Sequence, residues 1–379
     1  MVFDFFVPIS QKLLDFTEQL SSNSVGKKLN LHKENDFPDL SNIKIALIGV
    51  KDIRGLNIDK TEVSNDFIRK SLYSMFVGNW NLEIADLGDV PAGNTMSDTY
   101  YVLKQAVSYL VVNNIIPVII GGSQDLTYAI YTGYEYLKRT INLTSIDYKF
   151  DLHDDFSENI SANSFLNHII MQEPNYLQGY TNLGYQTYYN SQDHIELIDK
   201  LFFDAHRLGE VSSNIKLAEP ILRDSDVVTL DLQSVQSSSS GNLLNFEPNG
   251  FSGKEICVLA RYAGISDKVS TFGLFNQLGT LSESKLIAQI IWYFIEGVHF
   301  RVDESSFQDQ SSMLKYNVQL DDFDLIFYKS IHTQRWWIVV PNQTSMNGEY
   351  YLPCGFEDYE LALKNVIPER WWKSLKKNL

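Results

Sequence analysis

Residues 113–129 read NNIIPVIIGGSQDLTYA. The apolar run from Ile116 to Gly121 is short and continuous, as a strand buried on both faces of a parallel sheet must be. The run stops at Gly121-Gly122, and the residues that follow, Ser123, Gln124 and Asp125, are polar. In an open α/β sheet ligands bind beyond the carboxyl ends of the strands, so such residues are the first candidates for function.

The same pattern recurs along the chain. Further strands are expected at Ile43 to Val50, Leu82 to Asp86, Asn142 to Asp147, Thr181 to Gln186, Val227 to Leu232, Val269 to Leu274 and Trp337 to Val340. Longer helical patterns separate them, which predicts a three-layer α/β/α fold around a mostly parallel eight-stranded sheet. Thr280 to Glu296 reads as a helix with Leu286, Ile287, Ile290, Ile291 and Phe294 on one face and Gly297 as a left-handed stop. A second helix is expected from Gln192 to Arg207 behind a Ser191 cap. The Ser- and Gln-rich run from Ser234 to Gly241 reads as a flexible loop, Phe323 to Tyr328 and Arg335 to Val340 as a hairpin, and the tail as a short helix before KSLKKNL. A single domain is expected, with an irregular arm carrying one helix over 1–41, an α/β core over 42–297 and a packed extension over 298–379.

Composition narrows the function. The chain has 379 residues, ample for a large core, and 47 acidic against 31 basic residues give a formal charge of −16. Binding to a phosphate backbone rests on Lys and Arg, so nucleic acid and anionic membrane surfaces are not expected partners. The two cysteines, Cys257 and Cys354, have no partner at metal-ligand spacing, and a reducing cytoplasm is the expected location. The amino-terminal stretch MVFDFFVPIS lacks a basic segment and contains Asp4 and Pro8, which argues against a secretory signal, and no apolar run reaches membrane-spanning length. No glycine-rich phosphate loop occurs.

Three strand ends are rich in polar groups: GGSQD at 121–125, DYKFD at 147–151 and TLDLQ at 229–233. Together these segments resemble the ureohydrolases, the family of arginase, agmatinase and formimidoylglutamase, in which GG-x-H, D-x-H-x-D and S-x-D-x-D segments hold two manganese ions. The resemblance runs in order along much of the chain, through IKIALIGVKDIRG, ADLGDV, NNIIPVIIGGSQDLTYA, SIDYKFDL, SANSF, NLGYQ and RYAGIS. It is strongest toward formimidoylglutamase. It implies that the six ligand positions fall on Gln124, Asp147, Lys149, Asp151, Asp231 and Gln233. It also places Leu274 where the family has a glutamate for a cationic substrate group.

A second alignment is open, because DLHDD also spells D-x-H-x-D with Asp151, His153 and Asp155. The run INLTSI, however, ends directly before Asp147, and starting at Asp151 lengthens the interval from Gln124 by four residues. The first alignment is preferred. Protonated lysine has no lone pair for a metal, and Gln124 and Gln233 are poor manganese ligands, so the resemblance implies a degenerate site without cofactor. Lys149 is expected to neutralise the three carboxylates in place of the ions. The expected function is that of a pseudoenzyme acting in binding or assembly, with a protein partner or further copies of the chain, and no catalytic residues. The alternatives are a manganese-dependent hydrolase of C–N bonds in guanidino or formimidoyl compounds, and a sensor that binds a small molecule in the old pocket beside Lys149. His153, His168 and His194 read as ordinary surface or hydrogen-bonding histidines, and the pairs Trp336-Trp337 and Trp371-Trp372 as anchors of the C-terminal segment.

Overall fold

The computed structural model describes residues 2–153, 159–242, 246–302, 304, 312–321, 323–341 and 349–377. Nine strands form one sheet: β1 (Asn30–Leu31), β2 (Ile45–Val50), β3 (Ile84–Val90), β4 (Ile116–Ile120), β5 (Ile141–Ile146), β6 (Leu177–Tyr185), β7 (Asp204–Arg207), β8 (Val227–Asp231) and β9 (Thr271–Phe275). Their order is β1-β3-β2-β4-β9-β8-β5-β6-β7, and every neighbouring pair is parallel. β2, β3, β4, β8 and β9 are buried at every position; β2 and β4 accordingly read as continuous apolar runs, while β3 carries the buried Asp86 and Asp89.

Helices cover both faces. On one, Ile68, Leu72, Ile256, Leu259, Ile287 and Phe294 pack in a single apolar cluster from helices Asp66–Ser74, Gly253–Ile265 and Leu281–His299. On the other, Leu103, Leu110, Leu126, Ile130, Phe165 and Ile169 come from helices Met96–Val112, Leu126–Gly133 and Phe165–Ile170. The three-layer α/β/α reading therefore holds. Consecutive strands β4 and β5 lie on opposite sides of the inserted pair β9-β8, so the loops leaving β4 and β5 part and open a crevice at their carboxyl ends.

Several elements differ from the sequence reading. The sheet has nine strands, not eight, because β1 and β7 add to its edges and Trp336–Pro341 does not join it. That segment is β12 in a separate antiparallel sheet with β10 (Met313–Gln319), β11 (Asp324–Ser330) and β13 (Glu349–Cys354), where β11 and β12 form the expected hairpin. The helix behind Ser191, whose hydroxyl accepts from the His194 N–H, ends at Lys200, and the chain turns at Phe202 (φ 55°) into β7. Before residue 42 there are two α-helices, Gln11–Glu18 and Val25–Lys28, rather than one. The serine run is folded: Ser237–Ser240 is a helical turn, and Ser234, Ser237 and Ser240 are buried. Its hydroxyls are used, Ser234 donating to Asp231 O at 2.6 Å and Ser237 accepting from Glu247 N at 2.7 Å. The last helix, Glu369–Lys377, runs through KSLKK instead of ending before it. Among the described residues no helix is long and apolar enough to cross a membrane.

Gly297 is no stop either. The helix continues to His299, and Gly297 is where it crosses Gly253–Ile265: a Cβ on Gly297 would lie 2.6 Å from Arg261 O and 2.8 Å from Gly264 Cα. Gly264→Ala would put its methyl 2.2 Å from Phe294 O, so the helices must part. The variant is expected to lose about 1–3 kcal/mol in urea unfolding, net of the roughly 1 kcal/mol that alanine adds to helix propensity. An unchanged midpoint would show that the crossing tolerates a wider spacing.

The second sheet has its own apolar centre of Leu325, Phe327, Trp336, Ile338, Val340 and Trp371. Trp371 Nε1 donates to Val339 O at 2.8 Å. Arg223, from the helix Ala218–Arg223 of the core, donates to Trp336 O at 3.1 Å and Cys354 O at 3.2 Å, with its guanidinium 4.4 Å from the Trp337 ring centroid. Three of the four tryptophans thus serve packing of the C-terminal segment, as their pairing suggests.

Candidate functional site

The crevice begins at a turn that only glycine permits. After β4, Gly121 and Gly122 hold φ of +87° and +80°, and a Cβ on Gly122 would meet Leu126 Cδ1 at 2.1 Å. This reversal brings Gln124, fully buried, against the ends of β8 and β9. Its backbone N–H donates to Asn276 Oδ1 at 2.8 Å, and its Nε2 is 3.4 Å from Thr229 Oγ1, while its Oε1 meets no donor. After β5, Asp147 accepts from Lys149 N at 2.9 Å, and Asp151 adopts φ of +52°, a conformation that aspartate tolerates. Asp231 ends β8, accepting from Gln233 N at 2.7 Å on one oxygen and from Asn276 Nδ2 at 2.7 Å on the other.

Asp147, Asp151 and Asp231 are buried together, at 0, 6 and 2% exposure. Burial, then the Asp151 carboxyl, holds Asp147 well above the usual carboxylate range, and burial followed by Asp147 does the same for Asp231. Asp151 is pushed up to about 8, by burial first and by Asp231 second. Oδ2 of Asp147 is buried and meets no hydrogen-bond donor. Buried side by side without a cation between them, these carboxyls are biased toward the neutral form.

The lysine does not take the position expected of it. Lys149 is half-buried, and its ammonium lies 4.9 Å from the Tyr148 ring centroid and 6.0 Å from that of Tyr189. Among the described residues it forms no ion pair with the three carboxyls; its field lowers all three only as a minor influence. The ring faces of two tyrosines hold the cation outside the cluster. Gln233 is likewise engaged elsewhere, its Oε1 accepting from Tyr148 Oη at 2.8 Å. The crevice therefore gathers all six positions, with Gln124 and the carboxyls inside and Lys149 and Gln233 toward the tyrosine rim.

Of the second alignment, His153 is exposed, its backbone N–H donating to Asn167 Oδ1 at 2.9 Å, and Asp155 lies outside the described residues. Leu274 is buried in the apolar layer under β9. Two polar residues of the site went unrecognised in the sequence. Asn276 bridges the ends of β4 and β8, and the buried Asn182 of β6 donates to Lys149 O at 2.7 Å. Asn276 follows a strand directly, and that position alone marks it for attention.

A second buried network flanks the crevice. Arg69 grips Asp86 with Nε at 2.9 Å and Nη2 at 3.1 Å, Asp89 with Nη1 at 2.7 Å and Gly88 O with Nη2 at 2.9 Å. Tyr73 Oη adds a bond to Asp86 at 2.8 Å. Asn65 carries the network onward, donating to Asp89 at 3.1 Å and accepting from Gln277 Nε2 at 2.8 Å, beside Asn276.

Comparison with known proteins agrees with this geometry. The model of the arginase family matches residues 44–272. A formimidoylglutamase of Geobacillus sp. (strain WCH70) is 22% identical over 312 residues, covering 75% of this chain and 94% of its own. Among solved structures, Trypanosoma cruzi formiminoglutamase with Mn2+ superposes with a TM-score of 0.61 at 16% identity, over 70% of this chain and all of its own. The formimidoylglutamase of Bacillus subtilis gives 0.61 at 17%, over 77% of this chain and 99% of its own. The family match spans more than half of the chain and runs from β2 into the start of β9, so this protein belongs to the arginase family.

Proposed function

We propose that this chain uses the ureohydrolase fold for binding or assembly and has lost the dinuclear manganese chemistry, making it a pseudoenzyme. The observation that carries the reading is the set of groups around the carboxyl cluster. In this reading Gln124, Asp147, Lys149, Asp151, Asp231 and Gln233 stand at the family's ligand positions. Manganese takes carboxylate, imidazole and water, and no imidazole is present at these six. Both oxygens of Asp231 already accept hydrogen bonds, Gln233 Oε1 accepts from Tyr148, and burial biases Asp147 and Asp151 toward their neutral forms. Among the described residues no group of three or more His, Cys, Asp or Glu side chains is disposed to hold a metal ion. Such donors do not fit two ions, and the attacking hydroxide that a metal pair supplies has no counterpart here.

The competing reading draws on the relatives, which are named as formimidoylglutamases. It makes the chain a metal-dependent hydrolase of linear C–N bonds, with ligands from Asp151, His153 and Asp155. One preparation separates the two. Protein purified with manganese in every buffer is expected to contain far less than one ion per chain by elemental analysis and to leave formimidoylglutamate, agmatine and arginine intact. Two ions per chain with metal-stimulated turnover would overturn the proposal. With the first result, pull-downs and sizing in solution are the route to a protein partner or to further copies of the chain, in the cytoplasm where we expect it to act.

A further inference from the structure

The two sheets end in different ways. At the margins of the main sheet, β1 has only two residues, and β7 is short, polar and tied to the last helix by Lys373, 3.2 Å from Asp204. In the second sheet β13 lies against the core, where Arg223 donates to Cys354 O at 3.2 Å. β10 is the exception. Seven residues long, it ends the order β10-β11-β12-β13, and no described strand lies beyond it. Such an edge presents a row of N–H and C=O groups that another strand can take up.

The register with β11 decides which groups these are. Met313 stands opposite Ser330 and Gln319 opposite Asp324, and the ladder continues past both ends, with Ile331 N donating to Ser312 O at 3.0 Å and Leu320 N to Phe323 O at 2.8 Å. Hydrogen-bonded and non-bonded pairs alternate in an antiparallel ladder, so Leu314, Tyr316 and Val318 bond to β11. Met313, Lys315, Asn317 and Gln319 therefore turn their N–H and C=O groups to the open side. Val318 is buried, and the Tyr316 ring centroid lies 5.4 Å from that of Tyr359 in helix Phe356–Leu363, whereas Leu314, on the same face of the strand, is 44% exposed.

From this open edge we propose that two copies of the chain pair through β10, antiparallel about a two-fold axis at Tyr316, joining their second sheets into one. That axis sets Met313 of one copy opposite Gln319 of the other and Lys315 opposite Asn317, so every outward residue meets an outward residue. An axis at Lys315 would set like charges directly opposite one another, and an axis at Asn317 would leave Met313 facing Asp321, beyond the strand. The axis at Tyr316 also brings Leu314 of one copy against Val318 of the other, covering the exposed apolar side chain. Charge points the same way. Each copy carries −16, yet residues 313–319 hold Lys315 and no acid, so the copies meet where repulsion is least. The pairing gives the proposed assembly a surface and does not depend on the fate of the metal site.

The test uses the full chain over a range of protein concentrations. Light scattering coupled to size exclusion is expected to show the mass doubling as concentration rises. Asn317→Pro deletes an outward N–H and leaves the bonds to β11 in place, so it should prevent the doubling while shifting Tm by no more than a few degrees. Hydrogen exchange on the unaltered chain decides the matter should that variant fold poorly. The amides of Lys315 and Asn317 should gain protection as the mass doubles, while those of Leu314 and Tyr316 are protected throughout. A mass that stays single at every concentration, an Asn317→Pro chain that doubles as the parent does, or Lys315 and Asn317 amides that exchange freely in the assembly would each overturn the proposal. Manganese content, which decides the reading of the crevice, moves none of these readouts.

Discussion

Arg69→Met is expected to remove about 3–5 kcal/mol of stability, because it leaves two buried carboxylates facing one another without their shared cation. Arg69 is 1% exposed, Asp86 is fully buried and Asp89 is 5% exposed, so water cannot replace the lost partner. Four hydrogen bonds would go at once, two to Asp86, one to Asp89 and one to Gly88 O, leaving Asp86 with Tyr73 Oη. Lys51, 3.5 Å from Asp89, compensates only in part. Urea unfolding at pH 7 measures the effect. Adding Asp86→Asn to Arg69→Met should recover part of the loss, since one uncompensated charge is then removed. A single variant within 1 kcal/mol of the parent would mean that the pocket around Arg69 takes up water, contrary to its burial.

The second large effect concerns acidity. Burial and mutual repulsion raise Asp147, Asp151 and Asp231 in the folded chain above the usual carboxylate range near 4 that they have when unfolded, Asp151 to about 8. The folded state therefore binds more protons across that interval, and stability must fall as pH rises through it. Their contribution is complete below about pH 4 and is lost as pH rises through the folded values, about 8 for Asp151. Carboxylates with lowered pKa, such as Asp52 and Asp89, act in the opposite sense, but only at the acid end. Chelator-treated protein is expected to lose a few kcal/mol between pH 5 and pH 8. Asp151→Asn, which also accepts a positive φ, should flatten the profile and exceed the parent by roughly 1–3 kcal/mol at pH 8 while matching it at pH 5. Carboxylates paired with metal ions would give the reverse, a stability that grows with pH and with added manganese, and that result would sink the metal-free reading.

Most of the sheet was legible because a strand buried on both faces is mostly apolar, its few polar residues being held by partners as Asp86 and Asp89 are by Arg69. The runs ending at Gly121, Asp147 and Leu232 announce themselves for that reason. β7 did not, since an edge strand with a single neighbour can be polar, and DAHR continues the helical pattern before it. Gly297 misled for a related reason: a glycine that lets two helices touch is written the same way as one that ends a helix. At the site, the six positions were found from where strands end, but the direction of Lys149 was not. Its side chain is drawn by the rings of Tyr148 and Tyr189, and Tyr189 comes from a distant loop whose approach no local pattern encodes. Asn276 was passed over because it lies outside the three strand-end segments that carry the six positions, and its bridging of β4 and β8 exists only in the folded sheet.

The insertion of β8 and β9 between β4 and β5 also sets an order of events during synthesis. Asp147 leaves the ribosome long before Asp231 and Asn276, and β4 has no partner on its β9 side until Phe275 has emerged. The two halves of the sheet must wait for their central strands, with apolar edges open in the meantime, a period in which chaperones would find their binding sites. The carboxyl cluster closes only when those strands slide in. A nascent chain stalled before Thr271 should accordingly be held by chaperones and sensitive to protease, and one released after Phe275 should be neither.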